Sequence, residues 1–222
     1  MNGFDDPAAV ARYPDNPPRL VPGFADLQKM ARLLLAETAS AAGRILVVGA
    51  GGGLELKVFA EAEPGWRFVG VDPSAEMLKL ARRTLGPLAE RVDWREGYIG
   101  SAPEGPFDGA SCLLVLHFVP AAERVAMLAE IRRRLKPGAA FVVAHHSIPD
   151  GPGRNVWLGR LDAFAAANGV PFDAANGGAR ALGDRLPILS PEAEADLLRA
   201  AGFVDPQLFY TALTYRGWVA RA

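Results

Sequence analysis

A run of glycines is the first part of the sequence whose residue types and spacing suit ligand binding. It follows an apolar, largely β-branched segment at 44–48, typical of a buried strand, and places Gly49, Gly51 and Gly53 at alternating positions. Glycines without a Cβ atom let backbone amides approach a ligand closely. The dinucleotide fingerprint requires glycine at the first, third and sixth positions, and the sixth position here is Leu54. The spacing therefore disfavours a nicotinamide dinucleotide.

Asp72 is a second candidate for ligand binding, and it follows the next predicted strand, 66–71. A carboxylate at the carboxyl end of the second strand of a doubly wound sheet can accept hydrogen bonds from both hydroxyls of a ribose. The alternative is that Asp72 only caps the following helix, beside the N-cap residue Ser74. Because the glycine turn precedes it, we expect Asp72 to bind a ribose.

Strands and helices alternate along the chain and must position these residues. The predicted strands are 44–49, 66–71, 91–95, 109–116, 139–145, 204–211 and 215–221. The predicted helices are 24–42, 54–62, 74–85, 120–135 and one that opens with Ser190 as N-cap and Pro191 in its first turn. This order predicts an α/β fold with a Rossmann-like doubly wound sheet, mostly parallel, with an antiparallel C-terminal edge hairpin.

Residues 149–189 interrupt the alternation, because they are rich in Gly, Pro and Ala and show weak periodicity. We expect a partly helical inserted segment that acts as a lid or substrate-binding element. The whole chain, 1–222, is predicted to be a single domain.

Composition narrows the classes of partner. The chain has 24 basic and 25 acidic residues and a formal net charge of -1, so we expect no DNA partner, and RNA has no support from charge although it stays open. No apolar segment approaches the ~20 residues of a membrane helix, and the N-terminal residues lack a signal-peptide pattern, so we expect no membrane partner and a cytoplasmic location. The oligomeric state is not fixed by sequence, and a dimer stays open.

Further landmarks follow the glycine turn and Asp72 in order: Phe107-Asp108 before the fourth strand and Leu135 to Gly138 before the fifth. With the closing hairpin they cover nearly the whole chain, and the sequence resembles the class I S-adenosylmethionine (SAM) methyltransferases. The resemblance implies the class I methyltransferase fold, SAM as cofactor and a small-molecule methyl acceptor. It also implies cofactor contacts from Gly49, Ala50, Gly51, Gly53, Asp72, Pro73, Gly97, Tyr98, Leu114 and Arg19.

The sequence departs from the family pattern at two places. The family often has an acidic residue two positions before the first glycine, where it helps to organise the methionine end of SAM, and here that residue is Val47. The family's Gly-Asp pair after the third strand is replaced by Gly97-Tyr98. Tyr98 either stacks on or flanks the adenine, or is a loop aromatic that covers the core.

Other segments are similar to carboxy-S-adenosylmethionine (carboxy-SAM) synthase and its relatives, namely 19–24, 116–120 and the end of the chain from 201 to 220. Those enzymes have the methyltransferase fold but make a carboxylated SAM from SAM and prephenate. An arginine in their late insertion holds the added carboxylate, and Arg180 lies near the corresponding place. The resemblance implies carboxy-SAM as an alternative ligand.

Methyl transfer from SAM is an in-line displacement in which the cofactor supplies the activated methyl group and the protein mainly aligns the acceptor. A general base helps only if the acceptor must lose a proton. His117, predicted at the carboxyl end of the fourth strand, is the candidate base. The alternative is a histidine packed at the strand end.

The candidate substrate residues are His117, His145, Arg154, Trp157 and Arg180. His145 and His146 point to opposite faces of a strand, so no metal pair is expected. Arg154, Trp157 and Arg160 would form a lid that recognises an anionic or aromatic acceptor, and the alternative is a solvated helix with one inward aromatic. A tRNA-modification relative and a non-catalytic SAM-binding protein stay as alternative functions, while an NAD-linked oxidoreductase is disfavoured by Leu54.

Overall fold

The computed structural model describes residues 6–170 and 178–222, apart from the side chains of Ala179, Arg180 and Leu182. The strands are β1 Arg44–Val48, β2 Arg67–Asp72, β3 Val92–Glu96, β4 Phe107–Leu113, β5 Leu135–His146, β6 Val204–Ala212 and β7 Tyr215–Arg221. The helices are α1 Pro7–Arg12, α2 Pro17–Leu20, α3 Phe24–Ala36, α4 Leu54–Ala62, α5 Ala75–Leu85, α6 Ala121–Arg133, α7 Arg154–Ala167, α8 Gly178–Arg185 and α9 Pro191–Ala200.

The described strands form one seven-stranded sheet in the order β3-β2-β1-β4-β5-β7-β6. The strands from β3 to β5 are parallel, whereas β7 runs antiparallel to both β5 and β6. This confirms the predicted doubly wound sheet with an antiparallel C-terminal hairpin. The order in which the parallel strands follow one another across the sheet reverses between β1 and β4. Ligands bind at this reversal point in folds of this kind.

Two apolar layers cover the faces of the sheet. One layer packs α3, α4 and α5 on the sheet and includes Leu27, Val47 and Phe59. The other packs α6 and α9 on the opposite face and includes Leu128 and Phe141. Successive strand residues alternate between these layers, so the side chains of two neighbouring residues at a strand end lie on opposite faces of the sheet.

The two predicted helix N-caps, Ser74 and Ser190, are confirmed. The Ser74 side chain accepts a hydrogen bond from the backbone N–H of Met77 at the start of α5. The Ser190 side chain accepts one from the N–H of Ala193 at the start of α9, with Pro191 in the first turn. Each serine satisfies one of the N–H groups that a helix start leaves without a partner.

The beginning of β5 differs from the prediction, which continued α6 to Leu135 and began the strand at Ala139. The strand begins at Leu135 because Leu135 pairs with Phe107 and the N–H of Gly138 donates to the carbonyl of Ala222 at 2.8 Å. The register between β4 and β5 shifts after Phe107. Pro137, which has no N–H to donate, is therefore tolerated beside this irregularity.

Two other elements, α3 and β4, end earlier than predicted. Helix α3 ends at Ala36 rather than at residue 42, and the hydroxyl of Thr38 accepts a hydrogen bond from the N–H of Ala140 on β5. Strand β4 ends at Leu113 rather than at residue 116, because Leu114 has a positive φ of 62° and a tight turn, Leu116–Phe118, follows. That turn, not the strand, carries His117. None of the helices in the described part of the chain is long and apolar enough to cross a membrane.

Candidate functional site

The glycine turn between β1 and α4 lies against the end of β2 and the loop after β4. The N–H groups of Gly49 and Ala50 both donate to the carbonyl of Val71, at 2.8 and 2.9 Å. Gly49 has a φ of 75°, and a Cβ atom there would lie 2.1 Å from Cγ2 of Val115. A larger residue would therefore be strained and would collide with the β4 loop, so glycine is required for this close approach.

Asp72 lies directly under the glycine turn. Its Oδ2 accepts a hydrogen bond from the N–H of Gly51 at 2.8 Å, and its Oδ1 accepts one from the N–H of Ser74 at 2.9 Å. The N–H of Gly97 donates to the backbone carbonyl of Asp72, which brings the end of β3 to the same edge. Asp72 thus orders the turn as well as the start of α5.

Tyr98 projects outward from this edge, with 76% of its surface exposed. The alternative that Tyr98 covers the core is therefore wrong, because a side chain so accessible to solvent buries little apolar area. Pro73 is also exposed beside Asp72. Contact of Tyr98 with an adenine stays a prediction.

A cavity opens at the carboxyl ends of β1 and β4. Among its lining residues are Gly49, Ala50 and Leu114, all predicted from sequence, together with Tyr13, Gln28 and Glu55, which were not. Burial raises the pKa of Tyr13 well above its ordinary value, and the charges of Glu55 and Asp72 add to the effect. The Tyr13 ring covers the glycine turn, because a Cβ atom on Gly52 would lie 2.9 Å from its Cδ1 and one on Gly51 would lie 3.6 Å from its hydroxyl.

Glu55 is the acidic group inside this cavity. It is on the first turn of α4 and is 8% exposed, and its Oε1 accepts a hydrogen bond from Oγ of Ser111 on β4 at 2.7 Å. Burial raises the pKa of Glu55 to about 8, against the opposing effect of the Ser111 hydrogen bond. A signal was present in the sequence, because Glu55 is four residues before the buried Phe59 and so shares the inner face of the helix.

His117 lies in the turn after β4 and is 4% exposed. Its Nδ1 accepts a hydrogen bond from the N–H of His146 at 3.4 Å, and the two rings are 4.8 Å apart. Burial, followed by the charges of His146, His145 and Arg124, holds the pKa of His117 well below its ordinary value. The imidazole is therefore neutral near pH 7, and its low basicity makes it a weak proton acceptor.

His145 lies on the opposite side of β5 from His146. Its Nε2 is 3.2 Å from Oε1 of Glu194, which also pairs with Arg124, and all three residues are at most 1% exposed. His146 instead contacts His117, Tyr215 and the hydroxyl of Thr214. His145 was predicted to be a substrate residue, but strand alternation places it in a buried ionic cluster, and His146 is the histidine beside His117.

The predicted lid residues lie in and around α7. Arg154 donates a hydrogen bond to the carbonyl of Ile188, and the Trp157 ring has Arg160 at 4.3 Å and Arg216 of β7 at 5.9 Å. Arg19, predicted to contact the cofactor, donates instead to the carbonyls of Asn168 and Gly169 at the end of α7. The side chain of Arg180 lies outside the described residues.

Comparisons with known proteins agree on one family. Residues 46–141 match a family model described as a methyltransferase domain. The chain is 27% identical to the carboxy-S-adenosyl-L-methionine synthase of Chromohalobacter salexigens, over 97% of this chain and 82% of that protein. It is 31% identical to the trans-aconitate 2-methyltransferase of an Azoarcus species, over 68% of this chain and 61% of that protein.

Solved structures show the same fold at lower identity. The human N-acetylserotonin methyltransferase in complex with SAM has a TM-score of 0.62 at 18% identity and matches 98% of this chain. PigF with S-adenosylhomocysteine has a TM-score of 0.67 at 20% identity and matches 99% of this chain. The chain spans 57% and 60% of the lengths of these two proteins, so both extend well beyond the region they share with it.

Proposed function

The chain belongs to the class I SAM-dependent methyltransferase family, and from this premise we propose that it transfers the SAM methyl group to a small-molecule acceptor. The observation that carries the proposal is the glycine turn held on Asp72 at the reversal point of the sheet, within the matched segment 46–141. Bound SAM would supply a methyl group activated by a positively charged sulfur.

The residues around the turn suit SAM. Asp72 would accept the ribose hydroxyls, since its carboxylate lies at the carboxyl end of β2 and holds the glycine turn that follows β1, next to the reversal point of the sheet. Exposed Tyr98, next to Gly97, would flank the adenine. Leu114 and Gly49 would contact the cofactor near the acceptor side of the cavity.

His117 would act as a base only towards an acceptor that must lose a proton. Its neutral imidazole is in the correct form to accept one, but its lowered pKa limits the gain. We therefore propose that alignment of the acceptor supplies most of the acceleration, as an in-line displacement allows.

We propose that the acceptor is a small anion held between α7 and β7. Arg216 is 7% exposed, donates to the carbonyls of Leu213 and Tyr215, and has no carboxylate within ion-pair distance among the described residues. It lies next to Tyr215, whose ring stacks on His146 beside His117.

The buried guanidinium of Arg216, which has no acidic partner among the described residues, and the adjacent Trp157 ring suit a carboxylate or an aromatic acid. The relative that acts on trans-aconitate supports a carboxylate.

Transfer of label from methyl-labelled SAM to a panel of small acids and their neutral amides tests this proposal. We expect transfer to an acid at least about tenfold faster than to its amide, the size of effect that a charged hydrogen bond gives. The variant Arg216→Gln should lose this preference. Arg199→Gln, which changes an exposed arginine on α9, should keep it. Equal rates for acids and amides would contradict an anionic acceptor.

A second candidate function is synthesis of carboxy-SAM. It is favoured by the match to carboxy-SAM synthase over 97% of this chain, and Arg216 could also hold an added carboxylate. Mass spectrometry of small molecules released from the purified protein separates the two. SAM or S-adenosylhomocysteine supports methyl transfer, and SAM bearing an extra carboxylate supports the second candidate.

A further inference from the structure

Glu55 is a buried acid that pairs with no basic side chain among the described residues. In the described part of the chain, no Lys, Arg or His lies within ion-pair distance of its carboxyl group, and the hydroxyl of Ser111 is its hydrogen-bond partner. Burying a carboxyl group is costly unless it is paired or keeps its proton. Glu55 lines the cavity together with Gly49 and Leu114. A buried acid of this kind at a cavity wall indicates a role in binding.

The position of Ser111 places the Glu55 carboxyl group beside Val47. Val47 of β1 pairs with Ser111 of β4 in the parallel register, so both side chains point into the layer that contains α4. Val47 stands where the family often has an acid that organises the methionine end of SAM. In this chain the first turn of α4, reaching across to Ser111, brings a carboxyl group to the same place.

The charge of the cofactor completes the argument. The methionine end of SAM carries a sulfonium and an α-ammonium group, and the other side chains that line this cavity, such as Gln28 and Tyr13, are neutral near pH 7. We propose that Glu55 binds the positively charged methionine end of SAM and replaces the acid that is absent at Val47. This inference rests on the proposed function, because it takes SAM as the ligand.

Binding of a cation beside Glu55 should release a proton. With a pKa of about 8, most Glu55 carboxyl groups are protonated at pH 7, and a neighbouring positive charge favours the ionised form. Two other titratable groups interact electrostatically with Glu55: Tyr13, which lines the same cavity, and Cys112, whose side chain lies on the opposite face of β4. Asp72, beyond the glycine turn, acts on Tyr13. Burial raises the pKa of Tyr13 and of Cys112 well above neutral, so these two groups keep their protons whether or not SAM is bound.

Calorimetric titration at pH 7 with SAM and with 5′-methylthioadenosine tests the inference. The second ligand keeps the adenine, ribose and sulfur but carries no positive charge. In two buffers of different ionisation enthalpy, the wild type should release most of one proton with SAM and none with methylthioadenosine. Glu55→Gln should abolish the release and weaken SAM binding by about 10–100-fold, the effect of a charged hydrogen bond, while leaving methylthioadenosine within about twofold.

Glu61→Gln is the matched control, because Glu61 is an exposed residue of the same helix, and it should behave as the wild type. Unchanged SAM affinity in a folded Glu55→Gln protein would overturn the role of Glu55 and leave the proposed function intact. A wild type that binds neither ligand would overturn the proposed function itself. If Glu55→Gln does not fold, the wild type decides, and SAM binding without proton release would overturn the inference.

Discussion

Replacing Glu194 by alanine should lower the free energy of unfolding by about 3–5 kcal/mol, the cost of breaking a buried ion pair on one side. The Glu194 carboxylate contacts the guanidinium of Arg124 and lies 3.2 Å from Nε2 of His145. Arg124 is fully buried and also donates to the carbonyls of Val119 and Pro187. The substitution would leave this cation in the core without an opposite charge. Urea denaturation followed by circular dichroism measures the loss.

Glu192→Ala is the control for Glu194→Ala. Glu192 is exposed in the first turn of the same helix, so its removal should cost at most about 1 kcal/mol, the usual value of an acid near a helix N-terminus. A loss in Glu194→Ala no greater than that in Glu192→Ala would show that the Arg124–Glu194 pair does not stabilise the core.

Replacing Asp72 by alanine should weaken SAM binding by about 1.5–3 kcal/mol, or about 10–150-fold, because hydrogen bonds to a charged group would be lost. The change also removes the acceptor that holds the N–H of Gly51 in the turn. Calorimetric titration of the variant with SAM measures the effect, at a temperature where circular dichroism shows that the variant is folded.

Asp93→Ala provides the comparison for Asp72→Ala. Asp93 is an exposed acid on β3, the strand next to β2, and its removal should leave SAM affinity within about twofold, since screened surface charges contribute little. Unchanged SAM affinity in the Asp72 variant would remove Asp72 from the cofactor site.

The features predicted well from sequence depend on local signals. The strand and helix order follows from apolar periodicity, and Ser74 and Ser190 were recognised as caps because capping involves residues only three positions apart. The glycine turn and Asp72 were predicted because a fixed spacing after a strand determines their position. The limits of β5 were missed, since the pairing of Leu135 with Phe107 depends on a distant strand.

Two polar residues that were not predicted from the sequence, Arg124 and Glu55, are buried by long-range packing. Arg124 shares a helix face with Leu128 and Ile131, and the opposite charge that lets it be buried there comes from Glu194, 70 residues away. Glu55 likewise depends on Ser111 of β4. A charged residue at helical spacing with core residues was the available signal in both cases, and it predicts burial but not the partner.

We expect the glycine turn and Asp72 to bind SAM rather than a nicotinamide dinucleotide. Calorimetric titration of the wild-type protein with SAM and, separately, with NAD under the same conditions decides between the two ligands. We predict saturable binding of SAM at one site per chain and no measurable heat with NAD. Saturable binding of NAD with none of SAM would contradict the claim.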